Sequence, residues 1–262
     1  MGDIKEKTNW LYLSLSISTA VVIPVLWFLL TPSPITELVF PSPRSVWQAI
    51  LVLRLNLIEH AITTLARVLI GWLLGVVAGI LVGLLMTRSK TFYSVANPVI
   101  EVIRPVPPVA LIPFFIIWFG LGASGQILLV GLSCFMVLEV NTYVSVHNVA
   151  PIYVRAATSL GAPKRQIYRT IILPAILPSL VSGFRVAAAL AFAVAVAAEF
   201  MGAQSGIGFL IMVARRTLNT NTILLGTIIL GVESFLVDWS IRCISRYLCR
   251  WSETPIEAIQ RL

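Results

Sequence analysis

The chain is poor in charge: of its 262 residues only 11% are Asp, Glu, Lys or Arg, while 58% are hydrophobic. At a mean hydropathy of +0.94 it has too little polar material to clothe a water-facing globule, which excludes an ordinary soluble domain. Histidine is nearly absent, and His60 and His147 lie far apart at opposite ends of apolar runs, where an interfacial polar residue is the plain reading. The three cysteines, Cys134, Cys243 and Cys249, have no metal-ligand spacing and imply no disulfide framework. A membrane-embedded hydrolase or metalloprotease needs a nucleophile and base, or metal ligands, close in space, so no catalytic or metal site is expected. A Gly-x-x-x-x-Gly-Lys-Ser/Thr phosphate loop is missing too, so nothing in this chain can hydrolyse ATP.

What the chain has in quantity is long apolar runs. Crossing about 30 Å of hydrocarbon takes about 20 such residues in a helix. Stretches at about 10–30, 61–86, 93–119, 125–146, 174–200 and 222–245 qualify, predicting an all-α membrane protein with six transmembrane helices in one domain over 1–262. The first run is too long for a signal peptide and lacks a small-residue cleavage site before Pro32, so it is expected to be a retained span. If the N-terminus is inside, the inner segments hold twelve Lys and Arg and the outer ones four: Arg44, Arg54, Arg215 and Arg216. Arg67, Arg104 and Arg185 fall inside spans or at their ends. That asymmetry predicts cytoplasmic N- and C-termini. It also accounts for the net charge of +8 without a nucleic-acid partner.

Between the first two spans, Thr-Pro-Ser-Pro and Phe-Pro-Ser-Pro punctuate a short extracytoplasmic stretch, and Ser45 to Leu57 reads as an interfacial helix carrying Trp47. In the second span Gly71, Gly75, Gly79 and Gly83 recur every four residues, a stripe along which another backbone can come close, in the same subunit or in a neighbouring one. In the fifth span Gly183, Ala187, Ala191 and Ala195 repeat the step, and the next position is Glu199. Ionisable groups at membrane depth are costly, so Glu199 is a candidate for the pathway or its gate; near its helix end it could instead reach the outer interface. Beyond it, the stretch from Gly202 to Asn221 combines glycine turns with a brief apolar helix ending in Arg215-Arg216, and is expected to dip against the outer face.

The third span is interrupted by Pro98, Pro105, Pro107, Pro108 and Pro113, so a continuous hydrogen-bond ladder cannot run through it. Freed carbonyls at this depth need protein or water, which makes Glu101, Arg104, Pro105 and Pro108 candidates for the lining of a passage. Glu101 and Arg104, three residues apart, are positioned to pair on one helix face, as structural ions or in conduction.

Between the fourth and fifth spans, at about 150–173, lies a polar island with Arg155, Lys164, Arg165 and Arg169. Pro151 is placed to open a short helix, Gly161 to close it in a left-handed conformation, and Pro163 to start the next. The expected helix, sharp turn and helix form a rigid knob that another protein can grip; a connector lying on anionic headgroups would carry the same charges.

The island reads Arg155-Ala156-Ala157-Thr-Ser-Leu160-Gly161, nine residues, then Ile171-Ile-Leu173-Pro174. Its spacing resembles the cytoplasmic loop of ABC importer permeases, Glu-Ala-Ala, three residues, Gly, nine residues, Ile, one residue, Leu-Pro, with Arg155 replacing the leading Glu. With Glu101-Val-Ile-Arg104-Pro105-Val-Pro-Pro108, Ile-Pro113-Phe-Phe-Ile-Ile-Trp118-Phe-Gly120-Leu-Gly122 and Gly206-Ile-Gly208-Phe-Leu, the chain is similar to permease subunits for sulfonates and taurine. That subfamily also includes nitrate, bicarbonate, cyanate and pyrimidine-precursor importers. The resemblance implies a type I importer fold in a bacterial inner membrane, working as a homodimer with its pathway on the two-fold axis. It implies partners as well: two cytoplasmic ATPase subunits that bind ATP and Mg and seat the 150–173 loop, and an extracytoplasmic solute-binding protein. Any salt bridge made through the missing Glu is put in question by Arg155. A secondary transporter or channel would share the six spans and the broken helix, but not the loop spacing.

Overall fold

The computed structural model describes residues 40–249, Trp251 and six positions between 18 and 27. The expected first span, over about 10–30, and the C-terminal tail lie largely outside the described residues. All the described regular structure is helical: α1 (Pro43–Arg88), α2 (Lys90–Ile103), a 3-10 turn (Pro108–Leu111), α3 (Ile112–Phe119), α4 (Ala123–His147), α5 (Pro151–Ser159), α6 (Lys164–Ile167), a π turn (Tyr168–Ile172), α7 (Leu173–Gly202), α8 (Ile207–Arg216) and α9 (Thr220–Leu248). Among the described residues, four helical segments are long and apolar enough to cross a membrane, α1, α4, α9 and the run Lys164–Gly202, or five if the bent pair at Lys90–Ile103 and Pro108–Phe119 counts as one span.

The chain divides into two compact units, Met1–Ile58 with Leu210–Ile228, and Glu59–Phe209 with Ile229–Leu262. In the smaller unit, the interfacial helix expected at Ser45 to Leu57 forms, and a kink at Arg54 (φ 38°, ψ −113°) divides α1 into two helices there. No Gly or Pro stands between Arg44 and Ala61 to mark that break, and Arg54 turns back to donate from Nε to the Leu51 carbonyl at 2.9 Å. The turn after α8 is also tight. Leu218 takes a positive φ of 52°, the Asn219 amide reaches the Ala214 carbonyl at 2.8 Å, and the Asn219 side chain accepts from the Thr222 amide at 3.2 Å to cap α9.

The larger unit is organised around α4. The glycine stripe of α1 lies along it: a Cβ at Gly71 would stand 2.7 Å from Val130 Cβ, one at Gly79 2.8 Å from Leu138 Cβ, and one at Gly83 2.8 Å from Thr142 Cβ. At Gly75 it would run into the Gly131 carbonyl oxygen. The stripe is therefore spent on packing inside this chain. On α7, Gly183 backs onto the Asn141 side chain, the Ala187 carbonyl accepts from Cys134 Sγ at 3.4 Å, and Ala191 and Ala195 are buried. Trp72 Nε1 completes the trio of helices by donating to the Phe184 carbonyl at 3.1 Å. Helix α9 is tied to α7 by Arg185, whose Nε lies 2.6 Å from Asp238 Oδ1, while Arg242 takes the other carboxylate oxygen.

The broken third span is confirmed: α2 and the segment Pro108–Phe119 meet at 85°. Pro98 sits inside α2 without ending it, and the bend falls at residues 104–107, where Pro105 and Pro107 remove two amide donors. After α4, α5 opens with Pro151 and closes on Gly161 (φ 80°). The Ala162 amide reaches the Ala157 carbonyl at 3.0 Å and the Gly161 amide reaches Thr158 at 2.9 Å, a Schellman closure that uses the otherwise orphaned carbonyls. Pro163 then caps α6, and Ala157 and Ala162 pack on the apolar cluster of Ile167, Ile172, Ile176 and Leu180. The result is a rigid helix–turn–helix rooted on the start of α7.

Replacing Gly75 or Gly79 with Val is expected to lower the thermal unfolding midpoint of the detergent-purified protein, since overpacking a close contact costs about 1–3 kcal/mol or more. Val77→Leu, on the exposed face of the same helix, is expected to leave it unmoved, and equal midpoints for all three would disprove this packing.

Candidate functional site

The stripe of α7 ends at Glu199, and that carboxylate is the centre of a buried polar cluster in the larger unit. Glu199 is 1% exposed and Arg67 of α1 is 8% exposed, with Nη1 of Arg67 2.8 Å from Glu199 Oε1. Thr64, one turn earlier on α1, presents its hydroxyl 3.0 Å from both carboxylate oxygens and accepts the Ile207 amide at 2.7 Å. The Gly208 amide donates to Glu199 Oε2 at 2.8 Å, and the Gly206 amide donates to His60 Nδ1 at 3.0 Å. Arg67 reaches onward to Ser205, from Nη1 to its carbonyl at 2.7 Å and from Nη2 to its hydroxyl at 2.8 Å. Three successive amides at the start of α8 thus each find a side-chain acceptor, and the helix end favours the negative charge beside it.

Local geometry makes glycine the residue for this loop. Gly206 has φ 113°, a conformation that side-chain-bearing residues rarely adopt, and a Cβ there would collide with the Glu199 carboxylate. At Gly208 a Cβ would lie 2.8 Å from Glu199 Cβ. From Ser205 to Phe209 the segment expected to dip against the outer face folds back onto α1 and α7.

The sequence-predicted residues do not all meet. Glu101 does not pair with Arg104; its carboxylate accepts from the Asn97 side chain at 2.9 Å, one turn earlier, and among the described residues it forms no ion pair. Arg104 lies at the bend after α2 and, with Pro108, borders a separate cavity. Pro105 is exposed in the bend. Glu199 is neither lipid-facing nor water-facing here, but closed in protein. In the helix–turn–helix, Arg155, Ala156, Leu160 and Gly161 are exposed, with Leu160 87% exposed, while Ala157, Ile171 and Pro174 are half-buried and Leu173 is exposed at the start of α7.

Sequence reasoning missed His60, Thr64, Arg67 and Ser205 as members of the Glu199 cluster. A signal for three of them was present. The glycine stripe at 71, 75, 79 and 83, traced backwards at helical spacing, arrives at Arg67, Thr64 and His60, just as the α7 stripe traced forwards arrives at Glu199. Glu139, Glu233 and Asp238, three buried or half-buried acids of α4 and α9, also went unremarked.

An all-helical chain with paired small-residue stripes, a buried polar joint, a proline-broken span and an exposed helix–turn–helix defines a membrane transport subunit. Comparison with known proteins gives the family: residues 75–248 match the binding-protein-dependent transport system inner membrane component, and the chain belongs to it. It is 34% identical to the taurine transport system permease protein TauC of Escherichia coli, over 91% of this chain and 90% of that one. It is 33% identical to the putative aliphatic sulfonates transport permease protein SsuC of Bacillus subtilis, over 83% and 79% respectively. The fold matches a chain of the inward-facing MetNI methionine ABC transporter with a TM-score of 0.60, at 20% identity over 74% of this chain and 98% of that one. A chain of an amino acid ABC transporter with histidines matches equally, at TM-score 0.60 and 19% identity, over 78% and 98%.

Arg67→Ala and Glu199→Ala are each expected to destabilise the purified protein by about 3–5 kcal/mol, because each leaves an uncompensated buried charge. The double variant is expected to lose far less than the sum, and additive losses in thermal melts would mean the two charges do not support one another.

Proposed function

We propose that this chain is the membrane-spanning permease of an ATP-driven importer that carries a small sulfonate, taurine or another, from an extracytoplasmic solute-binding protein into the cytoplasm. It works as a homodimer of single permease domains, each with six spans and both termini inside, and two cytoplasmic ATPase subunits bind the ATP and Mg that this chain does not. The observation that carries the reading is the exposed helix–turn–helix at Pro151–Ile172, closed by Gly161 and rooted on α7, in a chain of this family. The sulfonate choice draws support from the likeness to TauC and SsuC over most of the chain. Nitrate, bicarbonate, cyanate or a vitamin precursor is the alternative cargo within the same family.

In this mechanism the ATPase pair closes on ATP and draws the two docked knobs together. Leu160, with Ile152 and Tyr153, offers exposed apolar surface to the partner, and Arg155, with no ion pair among the described residues, offers a charge where the family pattern has Glu. The knob leads through the π turn into α7, so its movement is passed along a helix that ends in the Glu199 joint. Spans attached to that rod rock, the passage opens outward to receive solute, and hydrolysis resets it. Glu199, with Arg67 and Thr64, then acts as a gate support, while Glu101, Arg104, Pro105 and Pro108 flank the passage at the bend.

The test is ATP-dependent uptake of radiolabelled taurine by proteoliposomes holding permease, ATPase and binding protein. Gly161→Val is expected to cut uptake by about tenfold or more while ATP hydrolysis continues, since a β-branched residue resists the positive φ that the turn requires. Leu160→Asp is expected to weaken co-purification of the ATPase subunit. Full uptake by Gly161→Val, or uptake without any ATPase subunit, would overturn the reading in favour of a secondary transporter.

A further inference from the structure

Inside the angle formed by the bend, α4 and α7 lies a cavity of about 590 Å³ that none of the interactions above occupies. Its cation is Arg104. The guanidinium makes no hydrogen bond or ion pair among the described residues; its charge is felt by Glu139, whose carboxyl is buried on α4, is not part of the cavity wall and leaves Oε2 without a hydrogen-bond partner. Besides Asn148, two further side chains able to donate line the same space unspent. Ser182 of α7 has no hydrogen-bond partner among the described residues, and the Asn141 side-chain amide, seated over Gly183, has none either, with its Oδ1 buried. By contrast Ser145 is satisfied, since its hydroxyl donates to the Asn141 carbonyl at 2.6 Å and lies 2.7 Å from the Ser179 hydroxyl, which can donate to it.

Apart from Ser133 and Asn148 the remaining wall is apolar, with Val140 and Val144 on α4 and Val186 on α7. Asn141 stands six residues before the end of α4 at His147, so the polar side of the cavity lies about 9 Å inside that helix end, by the rise of 1.5 Å per residue. Arg104 is exposed at the bend and no acid lines the cavity beside it, so the guanidinium is free to meet an anion there. One guanidinium, one hydroxyl and one amide, all able to donate, suit an oxyanion; the valine wall suits a short aliphatic body attached to it.

We infer that this cavity is a transit site for a small aliphatic oxyanion, with Arg104, Ser182 and Asn141 holding the charged head and Val140, Val144 and Val186 receiving the carbon chain. It rests on the importer reading above and adds a substrate-contacting site to it. A bare inorganic anion would leave the apolar wall unused, and a cation would meet Arg104 unfavourably.

The experiment is equilibrium binding of radiolabelled ethanesulfonate to the permease–ATPase complex in lipid nanodiscs without the binding protein, alongside ATP-driven uptake by the full system. The wild type is expected to bind saturably, with ethylammonium unable to compete. Arg104→Gln should weaken binding about tenfold or more, the size of losing one charge-assisted hydrogen bond, and Arg104→Lys should recover part of it. Ser182→Val, a replacement at an exposed cavity position, should weaken it several-fold while the complex still elutes as one species, which guards against a folding defect in the arginine variants. Import and binding unchanged by both Arg104→Gln and Ser182→Val would overturn the site and leave the importer reading standing, as would a wild type that imports the sulfonate without binding it here. A wild type that imports no sulfonate at all would overturn the substrate assignment and this site together.

Discussion

Lipid gives two apolar helices no reason to leave it for each other, because hydrocarbon surrounds them either way. Helices α1, α4 and α7 are held instead by what lipid cannot supply: backbone surfaces brought into close contact, and polar groups that have only protein to bond with. Four glycines on α1 take the first role. Where their side chains would be, the Val130, Gly131, Leu138 and Thr142 atoms of α4 already stand. Much of the rest follows from that approach, because only at this separation can Trp72 reach the Phe184 carbonyl and Arg67 the Glu199 carboxylate.

The polar joint lies where those stripes run out. A desolvated carboxylate is tolerable because it is surrounded: Arg67 neutralises it, the Thr64 hydroxyl and the Gly208 amide hydrogen-bond to it, and Gly206 is small enough to pass over it. The donors come from α1 and from the start of α8, so one acid on α7 ties the three together. Helix α7 carries this joint near its last turn and begins at the helix–turn–helix. One continuous rod therefore has an exposed knob at its first end and a buried clamp at its other. The knob is stiff, since it is closed by backbone hydrogen bonds and not by flexible side chains.

Much of this was legible without coordinates. The glycine and alanine steps of four predicted close packing, the proline cluster predicted the break at residues 104–107, and Pro151, Gly161 and Pro163 predicted the helix–turn–helix, because each acts through its own backbone restriction. The Glu101 to Arg104 pair failed for a related reason. Spacing brings two residues to one helix face only while the helix continues, and Arg104 is the residue at which it ends; Asn97, a full turn earlier on intact helix, took the carboxylate instead. The interfacial helix at Ser45 to Leu57 had its start and type legible but not the place of its break, since no Gly or Pro marks a boundary and the kink at Arg54 is a matter of one residue's torsion.

Sequence alone determined which segments are apolar enough to cross a membrane, where the backbone must break or turn, and which positions lack the side chains that would keep helices apart; these are local properties, carried by single residues and short spacings. Tertiary structure alone decided the partners. That the glycine stripe meets α4 of the same chain, that Glu199 meets Arg67 across 132 positions of sequence, and that Arg104 and Ser182 border one cavity depend on how the helices are arranged in space. No periodicity within one helix encodes the neighbour it will find.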